Sequence, residues 1–166
     1  MAKRSAGFLV VSGRRVLLLQ RADHVNNPRL WGLPGGQRDR GEVPYETAFR
    51  EAWEEMDHIP DHRLVGEIVV RRKGKEYRLF VCRATKAVRR TWRPDLNGEH
   101  RRYRWAKLRW CRENRRRLHP VMKAVVGCRA SRRALKAILR GAERLPARRG
   151  LRAPAARIAL KRPEAA

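Results

Sequence analysis

The chain has no cysteine pair, no long apolar run and few acids, and each shortage excludes a class of protein. Its three cysteines, Cys82, Cys111 and Cys128, are odd in number, far apart and in no C-x-x-C arrangement. Neither a disulfide framework nor a zinc site is expected, and a reducing, cytoplasmic setting suits them best. Residues 8–11 are apolar, but Ser12, Gly13, Arg14 and Arg15 cut the run far short of a signal peptide or a membrane span. No membrane association is expected. Acids are scarce: 16 Asp and Glu stand against 42 Lys and Arg, a net charge of +26. Such a surface attracts polyanions. Arginine outnumbers lysine 34 to 8, as a compositionally biased genome would also produce, so charge alone names no partner.

With 166 residues, the chain is long enough to bury a core as one domain with an appendage. The few acids are not spread evenly. Residues 36–58 hold seven acids and three bases, a local net of −4, while the rest of the chain carries +30. An acidic patch in so basic a protein points to cation binding.

Residues 7–12 and 15–20 are β-branched and leucine-rich around Gly13-Arg14, a hairpin pattern. Residues 21–29 read as a polar loop leading to Trp31-Gly32-Leu33-Pro34-Gly35-Gly36, whose glycines let backbone approach a ligand. Residues 44–57 have helical periodicity, with Pro44 in the first turn. The periodicity predicts a buried arc of Tyr45, Ala48, Phe49, Ala52, Trp53 and Met56. On the other side Glu51, Glu54 and Glu55 fall within about 100° of each other. Two further strands are expected around Lys73-Gly74, another over residues 102–108, and helices over 109–118 and 120–126. A sheet flanked by helices follows, an α/β (α+β) fold. Residues 128–166 hold twelve bases and two acids. The division expected is a catalytic domain over 1–127 and a basic extension over 128–166, helical to about Arg140 and flexible from Gly141.

The acidic helix and the loop before it resemble the box of the Nudix hydrolases, G-x5-E-x7-R-E-U-x-E-E-x-G-U, where U is a bulky apolar residue. Gly36, Glu42, Arg50, Glu51, Glu54 and Glu55 stand at the required spacing, with Ala52 at the first U. Asp57 departs from the box glycine and His58 from its apolar residue, which puts the helix ending in doubt but not the carboxylates.

The resemblance implies an α/β/α sandwich with a mixed central sheet and a MutT-like pyrophosphohydrolase using Mg²⁺, with Mn²⁺ as a substitute. It implies Glu51, Glu54, Glu55 and the Gly35 carbonyl as metal ligands, with Glu51 also binding or orienting the attacking water. Arg50 becomes a positioning residue among the catalytic set, and Gly36 and Glu42 structural residues of the box. Family members often recruit an acid from outside the box. Glu99 is the candidate here, with His100 beside it as an alternative base. Magnesium favours carboxylate oxygens and shares itself with phosphate, which is why such chemistry needs this cluster.

Three functions stay open. The first is hydrolysis of a phosphoanhydride in a nucleoside di- or triphosphate or a nucleoside diphosphate-linked compound. The second is removal of pyrophosphate from RNA 5′ ends, with the basic tail and hairpin gripping the RNA backbone. The third is a non-catalytic nucleic-acid-binding protein on the same scaffold. No box carboxylate is lost, which favours an enzyme.

Overall fold

The computed structural model describes residues 3–144. The first hairpin forms as expected, β1 (Lys3–Ser12) pairing with β2 (Arg15–Arg21) across Gly13. Direct pairing stops at Val11↔Val16 and Ser12↔Arg15. One edge of β1 is taken along its length by β6 (Lys75–Arg83), in parallel from Lys3↔Lys75 to Val11↔Arg83. One edge of β2 is likewise taken by β7 (His100–Lys107). The inner edges of β1 and β2 therefore diverge beyond the turn, and the glycine-rich stretch fills the gap. β3 (Trp31–Gly32) pairs with Leu19 and Gln20, and β4 (Gly35–Gln37) pairs with Ser5, Ala6 and Gly7. The sequence marks this stretch only as a loop; its strand character comes from long-range pairing.

β5 (Arg63–Arg72) completes the sheet, antiparallel to β6 across Lys73-Gly74. One parallel pair among antiparallel ones makes the sheet mixed. Alternation along its strands sends side chains to two cores. Leu9, Val11, Val16, Leu18, Leu79 and Val81 face α4 (Pro120–Gly127) and α5 (Arg129–Arg144). Phe8, Val10, Leu17, Leu19, Phe80 and Cys82 face α1 (Pro44–Met56). Each fully buried Leu or Phe contributes roughly 1.5–3 kcal/mol, and the strands are apolar on both faces because helices cover both.

The short α2 (Lys86–Thr91), not marked by the sequence pattern, begins at Thr85, whose Oγ1 accepts from Val88 N at 3.1 Å. α3 (Leu108–Glu113) and a 3₁₀ turn (Arg115–Arg117) lead to α4. α5 packs on the sheet through Ala134, Leu135, Ile138 and Leu139. Gly66 of β5 lets it close in, since a Cβ there would lie 2.8 Å from Ile138 Cγ2. Of the stretch expected to be flexible from Gly141, residues 145–166 lie outside the described residues.

α1 starts at Pro44, and the Glu46 carboxylate accepts from the Val43 backbone N–H at 3.0 Å. Val43 has no acceptor of its own, so only this half of a capping box forms. The helix ends at Met56. Asp57 adopts φ 62°, with its N–H donating to Trp53 O at 2.7 Å. The positive φ that the box glycine would supply is thus adopted by an aspartate. One expectation fails: Trp53 is 41% exposed, stacked on Phe49 at 6.0 Å between ring centres. The helix is covered on a second side, by β4 and the 95–99 loop. Burial is centred on Thr47, Ala48, Ala52, Glu55 and Met56 rather than on the arc that a single core would require.

Candidate active site

The site is built where α1 meets β4. Gly7 and Gly35 face each other across β1 and β4, and a Cβ on either would collide with backbone, the Pro34 carbonyl for Gly7 and the Ala6 carbonyl for Gly35. Gly35 also has φ 139°, which only glycine adopts readily. This close approach sets the Gly35 N–H to donate to Glu55 Oε2 at 2.9 Å. Next along the chain, a Cβ on Gly36 would occupy the space of the Glu51 carboxylate. The two glycines therefore seat two glutamates, one turn of α1 apart, against the end of the sheet.

Glu42 and Arg50 hold the loop to the helix. Arg50 donates through Nε to Glu42 Oε1 at 2.6 Å, through Nη1 to Glu51 at 3.1 Å and Glu54 at 3.2 Å, and through Nη2 to the Gln37 carbonyl at 3.1 Å. Glu42 also accepts from Thr47 Oγ1 at 2.8 Å and from the Asp39 N–H at 3.0 Å. The Arg50 bond holds its carboxyl down at about 2. Glu54 is on the outer side of this network, its side chain 55% exposed.

Glu55 has the opposite environment. It is 5% exposed, and burial pushes its carboxyl well above the usual carboxylate range. The Gly35 hydrogen bond and Arg21 oppose the rise, whereas Glu51 and Glu99 add to it. Glu51 is also raised, again mainly by burial, against the pull of Arg50. Glu99 is exposed on the loop whose Asn97 N–H donates to the Glu55 carbonyl at 3.2 Å. That loop brings it within electrostatic reach of the box. His100 lies deeper, 7% exposed, with Nε2 3.7 Å from Glu55 Oε1. Burial first and Arg21 second lower it to about 4, so at neutral pH the contact is not an ion pair.

Two residues escaped the sequence reading. Arg21, at the end of β2, acts on Glu55, His100 and Tyr77. Tyr77 on β6 is raised by burial and then by Glu55 and Glu51, so it lies within their electrostatic reach. Only the register of distant strands, β2 against β7 for Arg21 and β6 against β1 for Tyr77, would have located them.

Among the described residues, no three acids, histidines or cysteines converge as a ready-made metal cage. Magnesium does not need one, since it takes one or two carboxylates and completes its shell with water and phosphate. The donor set suits such an ion. A buried carboxylate with one backbone N–H donor and two acidic neighbours is electrostatically unfavourable until a cation joins it.

No helix among the described residues is long and apolar enough to cross a membrane. No curated protein matches the chain in sequence. Solved structures do match its fold. A C. elegans Ap4A hydrolase, in a binary complex, shares 21% identity over 84% of this chain and 98% of its own, with a TM-score of 0.60. The MutT protein from Methanosarcina mazei Go1 shares 22% over 81% and 95%, also at 0.60. The Nudix hydrolase RenU from M. smegmatis shares 24% over 82% and 86%, again at 0.60. At these identities the likeness establishes the fold, the mixed sheet between helices. The NUDIX domain pattern itself matches residues 1–126, spanning every element from β1 to α4 and the glutamates gathered at Gly35 and Gly36, and the chain belongs to the Nudix family.

Proposed function

We propose that the protein is a Mg²⁺-dependent, MutT-like pyrophosphohydrolase. Its substrate would be a nucleoside di- or triphosphate or a related nucleoside diphosphate-linked compound, cleaved at a phosphoanhydride by water. The observation that carries this reading is the buried Glu55 carboxylate, held by the Gly35 N–H with Glu51 one helical turn away. Glu55, Glu51, Glu54 and the Gly35 carbonyl are the groups that would hold magnesium, with manganese as a substitute. Bound there, magnesium would supply charge neutralisation at the polyphosphate oxygens.

The chain's own residues supply position and proton acceptance. Glu51 lies half in the protein with its affinity for protons raised by burial, which suits it to orient a water and draw off its proton. Arg50 fixes Glu51 through Nη1 while its Nε stays on Glu42; it is a positioning residue. Glu99 is proposed as the additional acid, close enough to influence Glu55 and exposed enough to meet substrate.

The test is hydrolysis with Mg²⁺ of a panel of nucleoside triphosphates, oxidised guanine nucleotides, dinucleoside polyphosphates, ADP-ribose and 5′-triphosphorylated RNA, with Glu99→Gln alongside. Metal-dependent turnover of free nucleotides is expected, with Glu99→Gln slower but still binding metal. Turnover of RNA ends alone would move the substrate class to RNA. No turnover of any compound would overturn the enzymatic reading.

A further inference from the structure

A second charged feature lies at the opposite end of β2 from the carboxylates. β2 places Arg15 there and Arg21 on the Glu55 side, and six residue steps separate the two by about 20 Å. At the Arg15 end is a groove of about 1320 Å³ between the β1–β2 turn, α3 and α5. No acid is among its lining residues.

The α5 wall carries Arg129, Arg132, Arg133, Lys136 and Arg140. At helical spacing these five fall within about 100° of one another, a single cationic stripe. Like charges three and four residues apart repel, and among the described residues none of the five has an acid partner. Arg14 on the turn and Arg112 on α3 face the same space. Arg109 alone of the lining cations is ion-paired among the described residues, to Glu113 at 2.7 Å. Cations crowded on both walls without acids between them form a surface complementary to a polyanion.

Three observations narrow the polyanion. The groove exceeds the roughly 300–1,000 Å³ of a small-ligand pocket, so a single nucleotide would not fill it. The apolar face of α5 is already packed, through Leu135, Ile138 and Leu139, so the helix has no free face to insert into lipid as an interfacial helix does. No aromatic ring lines the groove, so the unstacked bases of a single strand would find no platform. A duplex keeps its bases stacked and presents its phosphates on the outside, so it needs no aromatic platform.

We propose that this groove docks the phosphate backbone of a nucleic-acid duplex, independently of sequence and apart from the carboxylate site.

Fluorescence anisotropy of the full chain with a labelled DNA duplex of arbitrary sequence tests this, from about 50 to about 200 mM salt. Binding is expected to weaken steeply with salt. R132Q/R133Q/K136Q should weaken it at least ~10-fold and make the salt slope shallower by about 2–3, near 0.9 for each phosphate no longer neutralised. R14Q/R112Q, on the other wall, should act in the same direction, which guards against a folding defect in α5. R72Q/K73Q/K75Q, equal in charge but on the β5–β6 hairpin, should stay within about 2-fold of the unmodified chain. Equal losses from the hairpin and groove sets would overturn the proposal, reducing the effect to diffuse charge. Tighter binding of a single strand of the same length would also overturn it. So would binding to phosphatidylserine vesicles that the groove substitutions abolish while duplex binding persists.

Discussion

The Gly35 N–H reaches Glu55 Oε2 at 2.9 Å across twenty residues of chain, tying the glycine turn to the last turn of α1. Glu55→Gln keeps an acceptor oxygen for that N–H and removes the charge. Turnover with Mg²⁺ should fall at least ~100-fold, while the melting temperature holds or rises because a buried carboxylate has gone. Phosphate-release kinetics and a thermal melt of the same sample check both halves. Near-normal turnover would remove Glu55 from the site.

The adjacent glycines separate stability from activity. In Gly36→Ala the new Cβ meets the end of a flexible side chain, Glu51, which can swing aside. Activity should drop while stability changes by less than about 1 kcal/mol. In Gly35→Ala it meets the Ala6 backbone at φ 139°, and a loss above ~2 kcal/mol is expected. Denaturant titrations of both variants, paired with rates, provide the comparison.

Arg50→Lys retains the charge but loses the fork that spans Glu42, Glu51 and the Gln37 carbonyl. A loss of about 1–2 kcal/mol in stability is expected. The rate constant kcat should fall roughly 10-fold with little change in KM, as befits a positioning residue. A KM effect alone would instead mean that Arg50 contacts substrate.

Asp57 holds φ 62° where the family pattern has glycine. Asp57→Gly should relieve strain at the helix end and stabilise the fold by about 0.5–1 kcal/mol, less what the unfolded chain gains in freedom. A lower melting temperature would mean that the aspartate side chain contributes more than its backbone costs.

His119 is packed against Gly32, and burial, then Arg21, lower it to about 4. Above about pH 6.5, the ordinary value, it is neutral whether folded or unfolded and stability is unaffected. Below that the unfolded chain takes a proton that the folded chain refuses. Stability should therefore fall from about pH 6.5 to about 4, by up to ~3 kcal/mol, and the His119 contribution should level off beneath. His119→Gln should make this limb shallower in denaturant titrations, His100 supplying the remainder; an unchanged slope would show that His119 does not contribute.

How far the molecule was legible follows from the range of each interaction. The spacing from Gly36 to Glu55 lies within one loop and one helix, so the box carboxylates and Arg50 could be read directly, as could the hairpins around Gly13 and Lys73-Gly74. Trp53 could not, because periodicity assumes one buried side and α1 has two. β3 and β4 escaped for a similar reason. Gly32 and Gly35 have no strand preference of their own and become strands only through Leu19 and Gly7. Arg21 and Tyr77 join the site through the register of distant strands, which no local pattern encodes.

The parallel pairing of β1 with β6 sets an order of events during synthesis. Lys3↔Lys75 and Val11↔Arg83 each span seventy-two residues, and contacts of such separation form late because a long loop must close first. The helix carrying Glu51 and Glu55 leaves the ribosome well before β6 does. Until residue 83 emerges, β1 lacks one neighbour and the Gly7–Gly35 junction lacks the strand that backs it. The nascent chain thus carries Glu51, Glu54 and Glu55 before the strand that pairs with β1 along its length has been made.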